Sequence, residues 1–189
     1  AVNMITADAI AEAKAVATKQ AIANVLPEFD SSEQSEQTID DMPIKVYTAK
    51  KGDKLVGYAV ESMTKDGFGG VIRMMVGFSP KGEILNVNIL QQAETPGLGT
   101  KMADEDNALI RSIKDKKAWE IEFKVKKDGG ELDALTAATI SSRAYYEAVE
   151  RAYQAYKIAC GYDDKADGVS GATDTNDEGS QAQEGGQNE

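Results

Sequence analysis

The chain has 189 residues, 41% hydrophobic and 28% charged, which suits one soluble globular domain with a core of its own. A formal net charge of −11 argues against a nucleic-acid partner, which needs a basic face. With no histidine and a single cysteine, Cys160, the chain has no Ser-His-Asp triad, no Cys-His dyad and no internal disulfide, and most zinc-site types are excluded.

In chain order, Thr6 reads as the N-cap of a first helix with Asp8 in its first turn. Ile10, Ala13, Ala17, Ala21 and Val25 recur at helical spacing, and Pro27 ends the run. Residues 30–43 are polar and contain Pro43, which predicts a loop. Strands are expected from Ile44, from Leu55 to Val60, from Val71 to Phe78 and from Ile84 to Leu90. Ser79-Pro-Lys-Gly82 joins the last two as an antiparallel hairpin. A short amphipathic helix is expected over 104–113 and a further strand over 117–125.

A helix follows from about Ser142 to Cys160, with Tyr145, Val149, Ala152 and Tyr156 on one face, an aromatic stripe that reads as core. Beyond Tyr162 the chain is rich in Gly, Ser, Gln, Asp, Glu and Asn and carries most of the net charge, a composition that predicts disorder. The expected fold is α+β: an antiparallel sheet with helices packed at its ends.

Two loops carry the chemistry. Asp133-Ala-Leu-Thr-Ala-Ala-Thr139-Ile-Ser-Ser142 runs small residues and hydroxyls into a helix start. A helix N-terminus presents backbone N–H groups to an anion, and Thr139 lies within it. Taken alone, the string is more often an N-cap by Thr139, Ser141 or Ser142 than a site. Ala137 and Ala138 leave the backbone beside Thr139 open to a bulky group. The second loop, Glu94-Thr95-Pro96-Gly97-Leu98-Gly99-Thr100, reads alone as a tight turn; its polar groups could wrap a heterocycle.

Together, in this order, the two loops resemble the flavin-binding domain of the Rnf complex G subunit and of its relative, the C subunit of the sodium-pumping NADH:quinone reductase. The resemblance covers most of residues 5–160, including Gly69-Gly70-Val-Ile and the hairpin before Glu94. It implies FMN joined through its phosphate to Thr139, installed by a flavin transferase that uses FAD and a divalent metal. Asp133 and Thr136 match the acceptor motif, whose usual glycine is Ala137 here, a departure expected to tighten the turn or slow modification. Glu94, Thr95, Gly97, Leu98, Gly99 and Thr100 would line the ring pocket, with Lys101 at its margin. Ala138, Ser141 and Ser142 complete the implied cofactor site.

The tail string Asp167-Gly-Val-Ser-Gly-Ala-Thr173 fits the motif and keeps the glycine, so Thr173 is a second candidate acceptor. No apolar periodic helix follows it, which favours Thr139. The resemblance implies an electron-carrying subunit, not catalytic alone, that passes electrons between ferredoxin and NAD with other membrane subunits of an ion-translocating complex. The alternatives are the quinone-reductase subunit or an unmodified extracytoplasmic scaffold module. The family's pattern places a membrane helix, absent here, before a first segment at 1–28. An FMN-binding domain at 29–162, on the extracytoplasmic side of the inner membrane, and an acidic tail at 163–189 follow. Paired carboxylates Asp104 and Asp106 read more simply as a solvated helix start than as a hydrolase site.

Overall fold

The computed structural model describes residues 2–161, with side chains from Asp8 onward. Five strands form one antiparallel meander in sequence order: β1 (Ser31–Ile39), β2 (Met42–Lys51), β3 (Lys54–Gly67), β4 (Gly70–Phe78) and β5 (Ile84–Gln91). Three helices flank it, α1 (Val2–Val25), α2 (Ala108–Ile113) and α3 (Thr139–Cys160), so the α+β expectation holds. The expected hairpin is β4–β5, paired Met74↔Ile89 and Val76↔Val87.

The two sheet faces are covered differently. α3 lies on one face, where Tyr145, Val149, Ala152 and Tyr156 pack with Val46, Val60, Met74, Val76 and Phe78 in the main core. The Tyr156 ring stacks on Phe78 with centroids 5.0 Å apart and meets Tyr58 edge-on at 5.2 Å, so the aromatic stripe is core. The opposite face takes only the end of α1: Ala21, Ile22, Val25 and Leu26 against Tyr47, Ala49, Ala59 and Met75. Ile10, Ala13 and Ala17 are exposed, so the helical spacing of the earlier turns does not mark a buried face. Thr6 lies within α1 and not at its start.

Three further expectations are corrected. The polar stretch after Asp30 is strand β1, not a loop. It pairs with β2 from Ser31↔Lys50 to Ile39↔Met42, through a tight turn in which Asp40 and Asp41 both take left-handed backbone. Segment 117–125 is not a strand: it holds a 3₁₀ turn at Ala118–Glu120 and joins its neighbours through single bridges, Glu83↔Lys117 and Val125↔Leu132. The second helix starts at Ala108, because Asn107 caps it by accepting from the Leu109 and Ile110 N–H groups at 2.9 and 3.1 Å.

Arg151, 5% exposed, joins α3 to the sheet. It donates to the Met63 carbonyl at 2.7 Å and to Asp40 at 3.1 Å, and it pairs with Glu147 one turn earlier. Asp40 and Glu147 keep access to water, which softens the desolvation cost of the cluster. This network fixes α3 along β3, and with it the position of the N-terminal end of α3.

Candidate functional site

A cleft of about 520 Å³ opens at the N-terminus of α3, lined by Phe68, Thr95, Leu98, Gly99, Ala137, Ala138, Thr139, Ile140 and Ser141. Three separate segments meet there: the β3–β4 turn, the loop after β5 and the first turn of α3. The lining is mostly apolar, and Phe68 at the hairpin tip is 67% exposed.

Thr139 is the first residue of α3, and its predecessor Ala138 provides no side-chain cap. The Ser142 N–H makes the first helical bond, to the Ala138 carbonyl. Among the described residues, no partner accepts from the backbone N–H groups of Thr139, Ile140 or Ser141. Three uncapped N–H groups beside a hydroxyl, at the positive end of a 22-residue helix dipole, are the parts of an anion site. Thr139 is therefore not an N-cap, and neither serine caps the helix: Ser141 bonds to Glu94 and Ser142 to Leu135 and Ala138.

Ala137 has φ of 58°, the left-handed region in which a Cβ is strained. That conformation explains why a glycine suits the position. Directly after it the chain enters α3.

The other motif residues serve the loop or face elsewhere. Asp133 is not among the cleft residues. Its N–H donates to Ser112 Oγ at 3.1 Å, its carbonyl accepts from the Tyr146 hydroxyl at 2.7 Å, and its carboxylate pairs with Lys126. The Lys126 hydrogen bond, helped by the nearby positive charge, holds the Asp133 carboxyl below the usual aspartate range. Burial pushes the Tyr146 hydroxyl up to about 12, so it stays a neutral donor. Thr136 is exposed and lines a separate depression of about 220 Å³ with Lys101, Asp104, Asp106 and Arg111. Asp106 pairs with Arg111 at 2.9 Å, so the two aspartates near α2 act as surface groups.

In the 94–100 loop, Thr95, Leu98 and Gly99 line the cleft, whereas Glu94, Gly97 and Thr100 do not. Gly97 has φ of 73° and donates its N–H to Thr100 Oγ1 at 3.0 Å, which closes the turn. Glu94 is 4% exposed and lies behind the lining. Its carboxylate accepts from the Phe68 N–H at 3.1 Å, the Gly69 N–H at 2.9 Å and the Ser141 hydroxyl.

Phe68 and Ile140 line the cleft without having been singled out from sequence. An aromatic residue set between glycines in Gly67-Phe68-Gly69-Gly70 was the available signal, since such a turn has nothing to bury it against. The tail motif with Asp167 and Thr173 lies outside the described residues.

Open cleft, apolar walls and an uncapped helix N-terminus fit a ligand with a flat ring system and a phosphate, and the FMN-binding domain family matches residues 67–154. The G subunit of the ion-translocating oxidoreductase complex of Shewanella amazonensis is 36% identical over 164 residues, covering 79% of this chain and 76% of that protein. The corresponding protein of Photorhabdus laumondii is 34% identical over 162 residues, covering 79% and 78%. That of Haemophilus influenzae is 40% identical over 110 residues, covering 57% and 53%. The chain belongs to the family formed by the G subunits of ion-translocating oxidoreductase complexes.

Proposed function

We propose that the protein is an electron-carrying subunit of a membrane ion-translocating oxidoreductase, holding FMN through a phosphoester to Thr139. The observation that carries this reading is the coincidence, at one place, of the Thr139 hydroxyl, three unpartnered helix N–H groups and the apolar cleft. FMN bound there would supply reversible uptake and release of electrons at its ring. Thr139 Oγ provides the ester oxygen, and the first-turn N–H groups meet the phosphate charge, worth about 0.5–1 kcal/mol from the dipole alone. Phe68, Leu98 and Ile140 offer apolar contact to the ring, while Thr95 and Gly99 shape the opposite wall.

In the attachment reaction, Thr139 Oγ attacks the riboflavin-side phosphorus of FAD. A new O–P bond forms, the bond to the AMP half breaks, and the hydroxyl proton goes to solvent as AMP leaves. A transferase with a divalent metal would present FAD. Asp133 and Thr136, outside the cleft and accessible, are then contacts for that transferase and not for the flavin.

The names of the relatives support partnership with the other membrane subunits of such a complex, and they favour the ferredoxin-to-NAD branch over quinone reductase. Among the described residues, no helix is long and apolar enough to cross a membrane. A membrane anchor preceding α1, with the flavin domain on the extracytoplasmic side, completes the proposal.

The test is co-expression with the transferase, read by intact mass and by flavin fluorescence in a denaturing gel. Thr139→Ala should abolish the adduct and Thr173→Ala should keep it. The opposite pattern overturns the assignment to Thr139, and an unmodified wild-type chain despite active transferase supports the scaffold alternative.

A further inference from the structure

We infer that Glu94 is a positioning residue: its buried carboxylate clamps the β3–β4 hairpin tip to the first turn of α3 and so sets Phe68 against Thr139 across the cleft. This rests on the proposed function only for what the cleft holds; the clamp itself is a property of the unmodified chain.

A carboxylate can accept several hydrogen bonds, and this one takes three from two segments distant in sequence. Phe68 and Gly69 belong to the hairpin, and Ser141 belongs to the helix. The Glu94 backbone belongs to a third segment, where its own N–H is held by Gln92 Oε1 at 2.7 Å. No water is needed to satisfy the group, which is consistent with its 4% exposure.

The surrounding glycines exist to allow this convergence. A Cβ at Gly99 would lie 2.7 Å from Glu94 Cβ and 2.8 Å from Ser141 Oγ. At Gly67 it would lie 2.7 Å from Glu94 Oε1, and at Gly69 only 1.7 Å from the Ala93 carbonyl oxygen. Each of these three glycines lets one pair of segments approach, and the carboxylate is the group they approach. Phe68 and Ser141 both line the cleft, so the clamp joins one wall to the other from behind. Glu94 would then act on the flavin through these two residues without touching it.

The test is native-state amide exchange on the full chain, read at Phe68 and Gly69. Glu94→Gln should speed exchange there by about tenfold, the factor carried by one lost hydrogen bond. Ser141→Ala touches neither amide, yet it frees one leg of the clamp and should speed both by at least about threefold while central β3 amides stay unchanged. That variant also decides the matter should Glu94→Gln not fold. Wild-type exchange at Phe68 and Gly69 in Ser141→Ala overturns the clamp, as does faster exchange throughout the sheet.

In flavin-loaded protein, both variants should raise the fluorescence of the attached flavin as its walls loosen; unchanged fluorescence in Glu94→Gln overturns the coupling. A wild-type chain that takes up no flavin counts against the proposed function and leaves the exchange result to decide the clamp.

Discussion

Ser142 and Leu135 are locked together beneath the turn that carries Thr139. The Leu135 N–H donates to Ser142 Oγ at 2.9 Å, and the Ser142 hydroxyl donates to the Ala138 carbonyl at 2.8 Å. A fully buried serine thus replaces the missing side-chain cap by holding the loop from inside the helix. Ser142→Ala would strand the buried Leu135 N–H, at a cost of about 1–3 kcal/mol. Urea unfolding should show a lower midpoint at unchanged slope. Cofactor attachment should fall with it, because Thr139 would no longer be held in one place.

Ala137 offers a change in the opposite direction. Its φ of 58° strains a Cβ, and glycine removes that strain while adding freedom to the unfolded chain. Ala137→Gly is expected to stabilise the domain by about 0.5–1 kcal/mol net. Ala137→Val, β-branched at the same angle, should destabilise it by more than that. Thermal melts of the three proteins side by side give the order Gly, Ala, Val; any other order removes strain as the reason.

Asp133 and Lys126 form a titratable tie on the acceptor loop. The folded-state pKa of Asp133 is lowered by Lys126, so its contribution to stability is present above the ordinary value of 3.8 and is lost as the pH falls through the depressed folded value. Asp128, lowered by its hydrogen bonds to Arg143, behaves with the same sign. Both pairs are solvent-accessible, so the effect is small and screened by salt. Melting temperature followed from pH 5 downward should fall less steeply in Asp133→Asn than in wild type, and the difference should shrink at high salt. Parallel curves would show that the pair carries no stability.

Regular periodicity made much of the fold legible. The β4–β5 hairpin alternates cleanly, and α3 carries an apolar stripe that found the core. β1 escaped because Ser-Ser-Glu-Gln-Ser-Glu is exposed on both faces at a sheet edge. Its backbone pairs, but its side chains have no burial to alternate about. Trp119, Ile121 and Phe123 alternate without a ladder: Ile121 and Phe123 pack on the core while Trp119 stays exposed. The acceptor motif could be read from sequence, yet the directions of its residues could not. The left-handed turn at Ala137 separates Thr139, in the cleft, from Thr136, in another depression. Nor does any local pattern bring Phe68, Glu94 and Ser141 together, since their contacts span 26 and 47 positions.

Among the described residues lining the cleft there is no carboxylate, amine or guanidinium. Its electrostatic character is written in the main chain, in the first N–H groups and the dipole of α3. Peptide groups do not titrate near neutral pH, and a side-chain substitution leaves them in place. The field at the cleft should therefore stay constant across the physiological range. An engineer who wished to retune it would have to introduce a charge, because the lining holds none to remove.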